Sequence, residues 1–186
     1  HDLDLIDRQT AAVFIEPIQG EAGINVLSKS YLEALRERCN EAGTLLVFDE
    51  IQTGFGRTGK IFASEHYNIK PDILCMAKAM SAGYAGIGGV ITTKEIGDAV
   101  EGKIGLYSSY GWHPVSVDAS IATIRYLLEN VEDIFSNIEE IGNLFKERLM
   151  SQGFNDKDLR IIGMAIGVEL GSKEKASKVK KECLEK

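Results

Sequence analysis

Two ionisable residues stand where apolar strands should end. Asp49 closes the run TLLVFD (44–49), and Lys78 follows the run DILCMA (72–77), 29 positions further on. Leu46, Val47 and Phe48 offer Asp49 no partner, and a carboxylate taken out of water among apolar groups requires a nearby cation. Open parallel sheets place ligands at the carboxyl ends of their strands, so the two residues share one edge and together make a candidate site. Taken singly, each also fits an ion pair or a snorkelling side chain. Between them, Gly54, Gly59 and Lys60 carry the spacing G-x-x-x-x-G-K. A nucleotide phosphate loop leaves its strand at once, opens a helix, and follows the lysine with a Ser or Thr for magnesium. Here Glu50 to Gly54 delay the loop and Ile61 stands where the hydroxyl belongs, so the stretch reads as a glycine-rich surface turn. Tight magnesium–ATP binding lost in Lys60→Ala would reverse that reading.

The elements that must hold Asp49 and Lys78 follow from hydrophobic patterning. AAVFIE (11–16) reads as a buried strand. Ser28 caps a helix running to Ala42 with Tyr31, Leu32 and Leu35 on one face, and Gly43 supplies the left-handed residue that ends it. TLLVFD, DILCMA and GGVITT (88–93) read as three more strands. Continuous apolar strands separated by helices predict an α/β class with a largely parallel sheet covered on both faces. Beyond Pro114 the pattern changes to long helices over about 115–129 and 132–151, a strand-like run RIIGMAIGVEL (160–170), and a charged helix to Lys186. That tail reads as the start of a second, smaller domain.

Composition narrows the function. The 186 residues are 44% apolar with a formal charge of −7, enough for a packed core and the wrong sign for a phosphate backbone. Lys178, Lys180 and Lys181 make the one basic cluster, so no nucleic-acid partner is expected. Cys39, Cys75 and Cys183 are few, scattered and odd in number, which implies neither a disulfide framework nor a cysteine metal site and fits a reducing cytoplasm. No apolar run approaches the roughly 20 residues of a membrane span, and no membrane partner is expected.

EPIQGEAG (16–23), LLVFDEIQTGFGRTGK (45–60) and KPDILCMAKAMSAG (70–83) together resemble the class III pyridoxal-phosphate aminotransferases, the group that holds ornithine, acetylornithine, 4-aminobutyrate and diamine transaminases. The motifs keep family order and spacing from about Ala11 to Leu170. The resemblance implies the large domain of the fold type I transferases over 1–129, including a linking helix, and an incomplete small α+β domain over 130–186. It implies pyridoxal 5'-phosphate as cofactor, with Lys78 forming the Schiff base and shuttling a proton, and Asp49 pairing with the pyridinium nitrogen. Such a lysine must act as a neutral amine, which desolvation or nearby positive charge favours. Ile51 matches the apolar residue against the ring face and Gln52 the side chain near the ring hydroxyl.

The family's Ser-Thr-aromatic-Gly-Gly-Asn-Pro run corresponds to SSYGWHP (108–114). Ser109 falls on the threonine that reaches the cofactor phosphate of the neighbouring subunit, which implies a homodimer, and it keeps the hydroxyl donor. Trp112 and His113 replace Gly and Asn, and Gly86 replaces a usual proline. A glycine at position 112 would allow a backbone angle that Trp takes only at a cost. Glu16 and Glu21 match the family's pair of active-site glutamates, and Glu21 is the candidate that exchanges partners with an arginine, a partner that is not visible in this sequence.

Family chains are more than twice this length, so the sequence resembles a fragment lacking the upstream phosphate cradle and the downstream carboxylate-binding arginine. The expected function of the parent is transfer of an amino group from an amine or ω-amino acid to a 2-oxo acid. An aminomutase or racemase on the same scaffold, and a non-catalytic or dimerisation piece, are the alternatives.

Overall fold

The computed structural model describes residues 3–103, 108–109 and 111–185. Tyr110 of the SSYGWHP run and the terminal Lys186 lie outside the described residues. Four strands form the central sheet: β1 (Ala12–Ile15), then, after the short pair β2 (Ile18–Gln19) and β3 (Asn25–Val26), β4 (Leu45–Asp49), β5 (Ile73–Met76) and β6 (Gly89–Thr92). Their spatial order is β1-β4-β5-β6, with β1, β4 and β5 parallel and β6 antiparallel to β5.

Helix α1 (Lys29–Ala42) joins β3 to β4 and has both sequence signals realised. The Ser28 hydroxyl accepts the Tyr31 amide at 3.2 Å, and Gly43 takes φ +72° as the left-handed C-cap. Its Leu32, Leu35 and Cys39 pack on Leu46 and Phe48 of β4, with Ile6 and Tyr67 completing the core. Full burial of such a side chain contributes about 1.5–3 kcal/mol. Arg36 reaches across to Asp72 at 2.7 Å, and the same Asp72 oxygen accepts the Leu46 amide at 2.7 Å, tying α1 to the entrance of β5.

The rest of the chain comprises α2 (Ser64–Tyr67), α3 (Lys94–Val100), α4 (Pro114–Glu129), α5 (Val131–Ser151), the hairpin β7 (Leu159–Ile162) and β8 (Ala165–Val168), and α6 (Lys173–Leu184). The strand-like run at 160–170 is therefore two antiparallel strands rather than one. Gly163, at φ +57°, makes the turn, and a Cβ on it would lie 2.6 Å from the Thr58 carbonyl carbon, so close packing of the hairpin on the 54–63 loop requires glycine. α4 starts on Pro114, whose fixed φ suits a first helical position, and packs over the short 3-10 turn Lys78–Ser81. Among the described residues, no helix is long and apolar enough to cross a membrane.

Candidate active site

Parallel pairing of β4 with β5 sets Asp49 opposite Cys75, so the carboxylate ends one strand three residues before Lys78 follows the other. Asp49 is half-buried and accepts the Ile51 amide at 3.0 Å. Its negative charge reaches its strand partner: the Cys75 thiol is pushed up first by burial and then by Asp49. Lys78 opens the turn after β5 with φ +45°, a left-handed conformation. For a residue with a Cβ this costs roughly 1–2 kcal/mol, and such strain concentrates where function over-determines the backbone. The Lys78 ammonium Nζ donates to Gln52 Oε1 at 2.8 Å, closing a bridge between the loop after β4 and the turn after β5.

Lys78 and Gln52 line a cleft of about 790 Å³ together with Glu21, Arg57 and the apolar Ile24 and Met164. The structure thus brings Lys78, Gln52 and Glu21 together. Asp49 and Ile51 are not among the residues that line the cleft; Asp49 ends β4 and Ile51 directly precedes the cleft residue Gln52 in the chain. Glu16 is turned to its own loop, where its carboxylate accepts the Gly20 amide at 3.0 Å and folds EPIQG back on itself. Ser109 is exposed and does not line the Lys78 cleft, while its chain neighbours Ser108, Gly111, Trp112 and His113 border a separate cavity. Trp112 takes φ +59°, the angle for which a glycine is better suited.

Glu50 is a residue that the sequence reading passed over. It is 0% exposed, and its carboxylate accepts the Thr53 hydroxyl at 2.9 Å, the Ala63 amide at 2.5 Å and the Ser64 amide at 2.7 Å. Strand alternation could have found it, because positions 46, 48 and 50 share one side and Leu46 and Phe48 are both 0% exposed. The buried carboxylate without a cation is thus Glu50 rather than Asp49, and hydrogen bonds replace the cation. Glu50 thereby stitches both ends of the glycine-rich loop together. The Phe55 amide donates to the Ile61 carbonyl at 2.6 Å, and the Phe55 and Phe62 rings meet edge-on at 5.5 Å, closing the loop further. The next helix begins only at Ser64, with Glu50 on its first amides, and Lys60 is exposed. Lys60 therefore does not open a helix, as the lysine of a nucleotide phosphate loop would.

The donor set suits a pyridoxal cofactor: a lysine amine and a carboxylate at the ends of neighbouring strands, with an amide side chain already holding the amine. The chain is matched over residues 2–186 by the family model described as aminotransferase class-III. It is 40% identical over 171 residues to an acetylornithine aminotransferase of Methanocaldococcus jannaschii, covering 90% of this chain and 42% of that protein. It is 42% identical over 167 residues to ornithine aminotransferase 2 of Staphylococcus aureus, covering 89% and 41%. Among solved structures, a Bacillus anthracis aminotransferase superposes with TM-score 0.87 at 27% identity, over 98% of this chain and 46% of that one. The taurine:2-oxoglutarate aminotransferase from Bifidobacterium kashiwanohense, described in complex with PLP and glutamate, superposes with TM-score 0.74 at 32% identity, over 83% and 35%. The chain spans about two fifths of the length of the curated relatives it matches.

Proposed function

The chain belongs to the class-III aminotransferases, and from that premise we propose that the whole protein transfers an amino group from an amine or ω-amino acid to a 2-oxo acid with pyridoxal 5'-phosphate. The observation that carries this reading is Lys78, held in a left-handed backbone at the end of β5 with its Nζ 2.8 Å from Gln52 Oε1. When bound, pyridoxal phosphate supplies an aldehyde for amine capture and an electron-withdrawing ring for carbanion chemistry. Lys78 Nζ would hold the cofactor covalently and then move a proton at the substrate carbon. The Asp49 carboxylate would keep a proton on the ring nitrogen, Ile51 would present an apolar surface to the ring, and Gln52 would orient the ring hydroxyl as it now orients Lys78.

Glu16 and Glu21 belong on the substrate side in this reading. Glu21 in the cleft supports that role directly, whereas Glu16 acts through the turn it closes. Ser109 would donate its hydroxyl to the cofactor phosphate of a second copy in a homodimer, a role that its exposure permits. We place the large domain at 1–129 and the beginning of the small domain at 130–186. The free cysteines Cys39, Cys75 and Cys183 agree with a reducing cytoplasm.

The test uses the full-length protein with added cofactor. Keto product from a panel of amines with 2-oxoglutarate, together with a visible cofactor band, is expected, and both should vanish in Lys78→Ala. Amino transfer to no acceptor would sink the proposal. Retention of the amino group with migration or inversion would assign a mutase or racemase instead.

A further inference from the structure

Two of the loops that line the cleft are held by the β7–β8 hairpin, whose own Met164, Ala165 and Ile166 form part of the same lining. The loop after β4 is met by backbone: the Met164 amide donates to the Arg57 carbonyl at 2.9 Å, and Gly163 sits against Thr58. The other contact falls on residues 20–24, the tip that joins β2 to β3 and carries Glu21. Arg160 and Gly167 face each other across the hairpin. Arg160 Nε donates to the Gly23 carbonyl at 2.8 Å, and a Cβ on Gly167 would lie 2.6 Å from that same oxygen. One strand thus supplies a donor and the other a gap, and together they make a seat for a single carbonyl. Glu169 engages the same guanidinium at 3.3 Å.

The tip needs such a seat. Gly23 takes φ +104° and Ile24 takes φ +57°. A β-branched residue in that region is an outlier that persists only where its surroundings hold it. Within the tip, the Gly23 and Ile24 amides both close on the Gly20 carbonyl, at 3.1 and 3.2 Å. The first residue is secured separately: the Gly20 amide donates to Glu16 at 3.0 Å, and a Cβ on Gly20 would lie 2.5 Å from Gln52 Nε2. Glu16 and Gln52 therefore fix the end nearest Lys78, and Arg160 fixes the Gly23 end by a charge-assisted hydrogen bond, stronger than a neutral one. Glu21 lies between these two anchors.

We propose that Arg160 is a positioning residue: with Gly167 it clamps the 20–24 tip and so fixes Glu21 in the cleft, and the β7–β8 hairpin sets the substrate-side geometry without touching substrate. Arg160 does not line the cleft, and its carboxylate partner is Glu169. The effect on turnover rests on the transaminase reading of the cleft; the clamp itself does not.

The test uses the full-length holoprotein. Arg160→Met keeps the stem and removes the donors, and Gly167→Ala fills the gap while leaving the donors in place. In each, amide hydrogen exchange at Gly23 and Ile24 should quicken about 10–100-fold, the effect of losing a hydrogen bond to a charged group. The β7–β8 ladder amides should stay within about twofold of wild type, because Met164 and Gly163 still seat the hairpin. With ornithine and 2-oxoglutarate as probes, KM for ornithine should rise about 10-fold while kcat and the cofactor band hold, since the Gly20 end and the Lys78–Gln52 bridge are fixed without Arg160. Arg160→Lys should recover part of both effects, because its ammonium can still donate one bond. In a Glu21→Gln background, Arg160→Met should add no further rise in KM, the coupling expected of residues that act as one unit. Unchanged exchange at Gly23 and Ile24 would overturn the proposal. So would equal quickening of the hairpin ladder, or KM effects of Arg160→Met and Glu21→Gln that multiply. A wild type that transfers no amino group would mark failure of the transaminase reading, and the exchange rates would still decide the clamp.

Discussion

At the scale of single residues, the adjacent carboxylates Asp49 and Glu50 divide the labour by strand parity. Asp49 stands on the side away from α1 and accepts the Ile51 amide, while Glu50 turns inward and is consumed by Thr53, Ala63 and Ser64. Glu50→Ala leaves three donors buried without an acceptor, and at about 1–3 kcal/mol for each orphaned group the loss should reach about 3 kcal/mol or more. Glu50→Gln keeps the shape and one acceptor, so it should cost about 1–2 kcal/mol. Urea midpoints decide; an alanine variant within about 0.5 kcal/mol of wild type would remove Glu50 from this role. The same charge reaches Tyr67, whose hydroxyl donates to the Pro17 carbonyl at 3.2 Å and whose acidity is weakened first by burial and then by Glu50. A phenol whose folded pKa lies above its unfolded value stabilises the fold fully below about pH 10 and loses that contribution as pH rises through the folded value. Stability above about pH 10 should therefore fall more steeply in wild type than in Tyr67→Phe. Ultraviolet titration should show tyrosinate forming at lower pH in Glu50→Gln, and an unmoved curve would refute the coupling.

At the scale of elements, legibility depended on whether a signal was local. Ser28 and Gly43 bracket α1 because capping and the left-handed C-cap are chemical properties of those two residues. The places of Asp49 at the end of β4 and of Lys78 just after β5 were legible because each ends an apolar run. The direction of β6 was not, since it is set by the connector: residues 77–88 contain only the 3-10 turn Lys78–Ser81 and no α-helix to carry a parallel crossover. Nor was the β7–β8 turn, because an apolar run of 160–170 shows its period but not the tertiary contact of Gly163 with Thr58 that folds it. That Arg57 borders the same cleft as Lys78 has no local mark, because an exposed arginine in a glycine-rich loop carries no pattern of its own. The cap signals predict their own energetics. Ser28→Ala should cost about 1 kcal/mol and Gly43→Ala about 1–2 kcal/mol in chemical denaturation, the latter because alanine must hold φ +72°. A neutral Gly43→Ala would mean that the helix end refolds into another cap.

At the scale of the molecule, α1 finishes one face of the sheet, while the other face is buried at its centre, where Val47 is 1% exposed, and leaves apolar side chains exposed on its outer strands. α1 covers the side carrying Leu46 and Phe48, whereas Phe14, paired with Val47, is 71% exposed, and Val90, paired with Cys75 on that same opposite face, is 61% exposed. β1 and β6 are also the edge strands, so unpaired backbone groups lie beside exposed apolar side chains, a combination that invites pairing. Burying a large apolar side chain contributes about 1.5–3 kcal/mol. Two such residues from each of two copies would supply about 6–12 kcal/mol, against a cost of association of about 4–15 kcal/mol. The two ranges overlap, so the 186-residue chain should associate weakly and reversibly instead of forming a permanent dimer through this face. Sedimentation velocity should show a mean mass that grows with concentration, and Phe14→Lys with Val90→Lys should return it toward the monomer without lowering the urea midpoint, because both side chains are already in water. A chain that stays monomeric at every concentration would show that this face is protected without a partner, and mass growth unaffected by the two lysines would place the contact elsewhere.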